Sequence, residues 1–122
     1  MIASVILLAA TAVDPIAGTW EGTSLCQVKP SPCHDEHVVY RVSLEQPRHY
    51  KFDAYKVIAT QRVFMGSIDV TLDPQGTQLD GLVVNGGRSL GQLHLDLIEG
   101  HLEGRMTLAD GTLYRLIEVE KH

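Results

Sequence analysis

Residues 17–42 read AGTWEGTSLCQVKPSPCHDEHVVYRV, and this stretch decides the fold. It opens with Gly18-Thr19-Trp20, passes through Cys26 and Cys33, and then enters a run rich in β-branched residues. β-Branched and aromatic side chains suit a pleated strand, and Pro-rich segments interrupt one. The stretch therefore predicts two strands joined by a short loop that contains both cysteines.

The pairing of these two strands contains a conflict. Placing Cys26 directly opposite Cys33 would put Val39 opposite Trp20. The alternation of apolar residues instead turns the residues on either side of Val39 inward, at positions 38, 40 and 42. A one-residue shift reverses every side chain of a strand. We therefore expect a bulge or an irregular loop near residues 35–36 that shifts the register by one.

Length and charge limit the class of protein. A chain of 122 residues forms one domain, and its formal net charge is −5 with 15 acidic and 10 basic residues. Nucleic acids and anionic membrane surfaces are bound by clustered Lys and Arg. The sequence has no basic run, so it argues against both kinds of partner.

Three short turns predict how neighbouring strands pair, since turn type and loop length set the register of a hairpin. A two-residue turn at Glu99-Gly100 pairs Leu97 with Leu102 and Leu95 with Gly104. A two-residue turn at Asp110-Gly111 gives the pairs Leu108–Leu113, Met106–Arg115, Gly104–Ile117 and Leu102–Val119. A four-residue loop at Asp73-Pro74-Gln75-Gly76 pairs Leu72 with Thr77 and Val70 with Leu79. All three registers put the apolar residues on one face.

The complete pattern predicts an all-β fold of eight strands, because period-2 alternation recurs and helical periodicity does not. The expected strands cover residues 17–28, 35–46, 49–60, 63–72, 77–85, 90–98, 101–109 and 112–120. Short sequential connections favour a single antiparallel up-and-down barrel over residues 13–122, with an open sandwich as the alternative.

The first residues predict export. Residues 1–12, MIASVILLAATA, contain a short apolar run followed by Ala10-Thr11-Ala12, which is typical of a signal peptide and its cleavage site. No Lys or Arg precedes the run, so the signal is either truncated or, alternatively, the segment is a hydrophobic strand or arm. In an oxidising compartment Cys26 and Cys33 would form a disulfide rather than remain two buried thiols. We therefore expect a secreted or periplasmic protein that has no membrane span.

The Gly18-Thr19-Trp20 motif resembles the first strand of lipocalins and related calycins. In that family a Trp of the first strand closes one barrel end and packs against an Arg of the last strand. Here the Asp110-Gly111 register turns Arg115 inward. The resemblance therefore implies that Arg115 stacks on Trp20 by a cation–π contact.

A second resemblance covers most of residues 17–120. The pattern GTWxGxSxC, a second Cys and DExVVY is similar to a group of small exported bacterial proteins without an assigned activity. This resemblance implies a calycin-like barrel in the cell envelope or outside the cell. It carries no known active site.

The inward positions supply the candidate ligand-binding residues. They are Trp20, Ser24, Tyr40, Phe52, Lys56, Met106 and Arg115. An eight-stranded barrel either is filled by side chains or holds one small ligand, and the sequence leaves both open. Lys56 points inward if it shares a face with Phe52 and Ala54, and is solvated if Tyr55 and Val57 face inward instead.

No catalytic site, metal or cofactor is expected. His34 and His37 lie beside the cysteines but have opposite parity in a strand, and a disulfide would consume the thiols that zinc requires. Asp96 faces Glu103 on the outer wall, where nothing raises the pKa of a carboxyl group. Nucleophile and phosphate-binding motifs are absent from the sequence.

The leading functional hypothesis is a non-enzymatic, exported barrel that binds a small, mostly apolar or amphipathic molecule. The alternative is a secreted inhibitor or interaction module with a filled core that binds a protein partner through its loops. The rigid segment Lys29-Pro30-Ser31-Pro32 would then contact the partner.

Overall fold

The computed structural model describes residues 14–28 and 32–122. The predicted signal peptide and most of the Lys29–Pro32 segment lie outside them. The eight strands are β1 (Gly18–Cys26), β2 (Glu36–Gln46), β3 (His49–Ile58), β4 (Gln61–Leu72), β5 (Gln78–Asn85), β6 (Arg88–Ile98), β7 (His101–Leu108) and β8 (Leu113–Lys121). Within these residues the protein is all-β.

The strands form one closed antiparallel barrel in sequence order, with β8 paired to β1. This confirms the predicted up-and-down barrel and rules out the alternative prediction of an open sandwich. Closure satisfies the outer backbone groups that an open sheet would leave at its edges. No helix in the described ranges is long and apolar enough to cross a membrane.

The Glu99-Gly100 hairpin has the predicted register. Leu97 pairs with Leu102, and Leu95 pairs with Gly104. Both turn residues have positive φ, 42° at Glu99 and 79° at Gly100. Positive φ at both central residues is the conformation whose twist matches the flanking strands, so the turn fixes the register of this hairpin.

The Asp110-Gly111 hairpin differs from its prediction only next to the turn. Met106–Arg115, Gly104–Ile117 and Leu102–Val119 pair as expected. The predicted Leu108–Leu113 pair is wrong, because Leu113 pairs with Thr107 and the register shifts beyond Met106. Tyr114 is the extra residue of this β-bulge. The bulge lets the turn lengthen without reversing the side chains of β8.

The predicted register at Asp73 is wrong by two residues. Leu72 pairs with Leu79 and Val70 with Gly81. The loop is longer because the Asp73 carboxylate accepts hydrogen bonds from the amides of Thr77 (2.9 Å) and Gln78 (3.1 Å), which draws both into the turn. A shift of two residues preserves the inward face.

The first hairpin confirms both the disulfide and the expected register shift. Cys26 and Cys33 are bonded, with their Cα atoms 5.9 Å apart. Trp20 pairs with Tyr40, and the ladder ends where Ser24 meets Glu36. The cysteines therefore lie in an irregular connection beyond the paired residues, and Val38, Tyr40 and Val42 are buried.

One end of the barrel is closed by a floor built around Trp20 and Ile16, which are both fully buried. The Trp20 indole donates a 2.8 Å hydrogen bond to the Ile16 carbonyl. The segment before β1 is held by Asp14, whose carboxylate accepts hydrogen bonds from the Ile16 amide and the Tyr50 hydroxyl. Lys121 completes the floor, with Nζ at 3.2 Å from the Asp14 carbonyl oxygen.

The predicted Trp20–Arg115 stack is wrong. Trp20 pairs with Lys121, whose Nζ lies 5.8 Å from the indole centroid, whereas Arg115 pairs with Cys26. Six residues of β1 separate the two positions, which corresponds to about 20 Å along a strand. Lys121 therefore supplies the cation at the floor, and Arg115 lies at the opposite, open end.

The barrel wall contains one fork among its described strands, between β4 and β5. These strands pair only at Val70–Gly81, Thr71–Asp80 and Leu72–Leu79. Beyond Gly81 each strand keeps its other neighbour, since β4 continues beside β3 and β5 beside β6. The facing edges are therefore unpaired above the fork.

Candidate functional site

The open half of the barrel holds a cavity of about 480 Å³. Its lining combines apolar walls with a small polar cluster. The lining residues are Ser24, Glu36, Val38, Tyr40, Ala54, Met65, Gly66, Ser67, Ile68, Val83, Val84, Asn85, Leu90, Met106, Tyr114 and Arg115. The closed half below it is filled by side chains, so this barrel has both a packed core and a cavity.

Strand alternation places the polar cluster at one end of the cavity. Ser24 and Glu36 are the last pair of the β1–β2 ladder, and both line the cavity. Arg115 lies on β8 opposite Met106, which also lines it. Ser24 and Arg115 are 2 % and 8 % exposed. A buried cation needs partners, and the cluster supplies them.

Arg115 is held by one nitrogen. Nη1 donates hydrogen bonds to the Ser24 carbonyl (3.1 Å), the Ser24 hydroxyl (3.3 Å) and the His34 carbonyl (3.0 Å). The nearest Glu36 carboxylate oxygen is 3.7 Å from the same atom. The guanidinium also lies over the Tyr114 ring, with Cζ 5.0 Å from the centroid. These contacts fix the guanidinium and connect it to the disulfide loop.

Tyr40 forms the side of the cavity between the polar cluster and the core. Its ring packs on Phe52 with centroids 5.8 Å apart, and the residue is 4 % exposed. Burial raises the pKa of Tyr40 above its ordinary value, although the Arg115 charge lowers it slightly. The hydroxyl therefore stays protonated and is a hydrogen-bond donor at physiological pH.

The cavity extends to the fork in the barrel wall. Its lining includes residues of both unpaired edges, among them Ser67 and Ile68 of β4 and Val83 and Val84 of β5. Exposed apolar side chains flank the same opening. We call them the apolar rim: Val63, Phe64, Met65, Leu82 and Val84. The fork thus joins the cavity to an apolar outer surface.

The structure brings four of the seven predicted interior residues together at the cavity: Ser24, Tyr40, Met106 and Arg115. Trp20 lies in the floor, and Phe52 lies in the core behind Tyr40. Lys56 is half-buried opposite Val38, on the same strand face as Phe52 and Ala54, but it is not among the lining residues.

Sequence reasoning missed Glu36 as a member of the cluster and missed the fork residues. Glu36 is not among the inward positions that the sequence predicts, yet it pairs with inward-facing Ser24. Knowing the shifted β1–β2 register would have revealed it. The fork does leave a signal, because alternation in β4 and β5 gives way there to consecutive apolar residues, at Val63–Met65 and Leu82–Val84.

The outer wall carries a group of possible metal ligands apart from the cavity. Ligand atoms of His101, Glu103 and Glu118 lie within 4.8 Å of one another. The predicted Asp96–Glu103 pair is present, and Glu103 also faces Glu118. The His101 Nε2 lies 3.4 Å and 3.3 Å from the carboxylate oxygens of Glu103 and Glu118, so polar contacts among side chains on the outer wall account for the group.

No protein-family model and no curated protein matches this chain. Function must therefore be inferred from the geometry of the cavity.

Proposed function

We propose that the protein is an exported, lipocalin-like barrel that binds a small, mostly apolar molecule in its cavity and performs no catalysis. The observation that carries the proposal is the cavity itself. Its volume of about 480 Å³ lies in the range of roughly 300–1,000 Å³ found for small-ligand sites. Its walls are mostly apolar, and the charged groups Arg115 and Glu36 lie together, which is the usual composition of such sites.

The chemistry of the cluster supports binding rather than catalysis. The Ser24 hydroxyl accepts a hydrogen bond from the guanidinium, and a guanidinium does not act as a general base. His34 contributes its backbone carbonyl, not its imidazole, to the cluster. The described lining contains no histidine side chain that would activate a nucleophile.

The proposed location outside the cytoplasm is supported by the disulfide, since such bonds persist in oxidising compartments. The apolar segment at residues 1–12 adds the sequence argument for export.

Native mass spectrometry of protein purified from its own host tests the proposal. We expect a small molecule to co-purify in stoichiometric amount with the wild type. Ala54→Phe adds a ring inside the cavity and should abolish it, whereas Ser43→Phe adds the same ring on the exposed outer wall and should retain it. An empty wild-type protein that also fails to bind added apolar probes would refute the proposal.

A second candidate function is a protein-interaction or inhibitor module. The apolar rim favours it, because exposed apolar side chains beside unpaired strand edges are a recognised surface for protein partners. A stoichiometric partner recovered from the host's culture fluid should then be lost from Phe64→Ser and retained by Ser43→Phe.

A further inference from the structure

We propose that the ligand is amphipathic, with a carboxylate head bound by Arg115 and Tyr40 and an apolar tail in the cavity. This inference rests on the proposed binding function and specifies the class of ligand.

The first argument is the distribution of donors on Arg115. A guanidinium has five N–H donors. In the described structure, all three hydrogen bonds of Arg115 use Nη1. Nη2 and Nε donate to no described residue, and no fully buried side-chain nitrogen or oxygen in the described residues lacks a partner. These nitrogens are therefore not fully buried, and because Arg115 lines the cavity, we take them as the edge that faces two carboxylate oxygens there.

The second argument is the Tyr40 hydroxyl. It belongs to a side chain more than nine-tenths buried that lines the cavity, and no described group accepts its proton. Because no fully buried side-chain oxygen of the described residues lacks a partner, this unpartnered hydroxyl oxygen is not sealed in the core, and it can donate to a molecule in the cavity. A ligand oxygen between Tyr40 and Arg115 would satisfy both groups.

Glu36 makes it possible to test whether the head group of the ligand is anionic or cationic. It is the one acidic side chain in the described lining, and its carboxylate lies 3.7 Å from Nη1. At that distance it partly neutralises Arg115 without a hydrogen bond. It would repel a bound carboxylate and attract a cationic head, so its removal distinguishes the two.

Two ligands with the same chain isolate the head group: dodecanoate and dodecanol. Titration calorimetry at neutral pH, where the acid is ionised, should show that the wild type binds dodecanoate about tenfold or more tightly than dodecanol, as charge-assisted hydrogen bonds predict. Tyr40→Phe should weaken dodecanoate binding about fivefold and dodecanol binding less, because the neutral alcohol oxygen is the weaker acceptor.

Glu36→Gln removes a charge with almost no change in shape, and we expect it to tighten dodecanoate binding about threefold or more. Arg115→Lys keeps the charge but loses the flat edge, so it should lower the preference for dodecanoate.

Equal affinity of the wild type for both ligands, or weaker dodecanoate binding by Glu36→Gln, would overturn the carboxylate assignment and leave the apolar binding function standing. Failure of both ligands to bind would instead count against the binding function.

Discussion

Arg115 and Lys121 are two cationic residues of β8 that reach opposite ends of the barrel, since Arg115 pairs with Cys26 and Lys121 with Trp20. The Asp110-Gly111 turn correctly predicts that the Arg115 side chain faces the barrel interior, because three residue pairs of this hairpin have the predicted register. The position of Arg115 along the barrel axis relative to Trp20 depends on how β8 pairs with β1. No turn connects these two strands, so the sequence does not predict their register. Lys121 occupies the position expected for Arg115 because β8 pairs with β1 so that Lys121 lies opposite Trp20.

Asp14 is the residue whose charge holds the floor. Burial alone would raise its pKa, but hydrogen bonds from the Ala17 and Ile16 amides and the Tyr50 hydroxyl, with the nearby Lys121 charge, hold the pKa below its usual 3.8. A lowered pKa in the folded state means that the ionised carboxylate stabilises the fold above pH 3.8. That stability is lost as the pH falls through the folded value.

Asp14→Asn should therefore lower the free energy of unfolding by about 1–2 kcal/mol at neutral pH, with the difference from the wild type shrinking below about pH 4. Urea unfolding followed by circular dichroism at several pH values measures this. The exposed carboxylate of Glu45 provides a control, since Glu45→Gln should change the stability little. A difference that persists undiminished at pH 2 would contradict the role of the charge.

At the scale of elements, turns predicted registers well only where the turn conformation is set by its own residues. Glu99-Gly100 has the positive φ values of its turn type and pairs as expected. The Asp73 loop is longer than predicted because a side chain caps it, and its pattern of residues does not reveal that capping. The register errors at the Asp73 loop and the Asp110-Gly111 turn left the same side chains facing the barrel interior. The barrel fold could therefore be predicted despite them.

Gly104 lets two strands approach closely, in contrast to glycines that serve turn conformation. A Cβ at Gly104 would lie 1.9 Å from the backbone carbonyl oxygen of His94, whereas Gly76 has φ 76° and open space around it. We expect Gly104→Ala to cost about 2–4 kcal/mol of stability, because backbone must move. Gly76→Ala should cost only about 1 kcal/mol. Urea midpoints compare the two, and equal losses would contradict the close-approach argument.

The fork makes a prediction about ligand exchange. If ligands pass between β4 and β5, closing the fork should slow ligand exchange relative to the single-cysteine variants, which change the same lining residues. Continuing the observed register would place Ser67 opposite Val84, so a disulfide between Ser67→Cys and Val84→Cys, once formed, would hold the two edges together. We expect stopped-flow release of dodecanoate to slow by about tenfold or more on this bridge.

The matched control is Thr71→Cys with Asp80→Cys, a bridge between residues that are already paired below the fork. It should leave the release rate unchanged. Mass mapping must show that Cys26–Cys33 persists in both variants. Equal release rates from bridged and single-cysteine proteins would show that the fork is not the entrance.

At the scale of the whole molecule, the two halves of the barrel have different contents. Large side chains such as Leu79, Leu95 and Leu102 fill the closed half. The open half has Gly66 and Ala54 where larger residues would fill the space. Composition could not decide between a filled barrel and a cavity, because the answer depends on where along the axis the small residues gather.

The disulfide loop stabilises the fold and also positions Arg115 through the His34 carbonyl. Replacing Cys26 and Cys33 together by serine should lower the free energy of unfolding by about 2–3 kcal/mol, the chain-entropy value for a loop of this length. It should also weaken binding of dodecanoate more than that of dodecanol. Urea unfolding and calorimetry measure the two effects. An unchanged ratio of dodecanoate to dodecanol affinity would show that the disulfide loop does not position the head-group site.

The position of Trp20 makes the two halves separately visible to spectroscopy. The chain has one tryptophan, and it lies in the floor, while Tyr40 and Tyr114 line the cavity. Indole emission therefore reports whether the floor is intact and should respond little to occupancy. Tyrosine absorbance should respond to a bound molecule while the floor stays closed, so one sample can show filling and unfolding as independent optical signals.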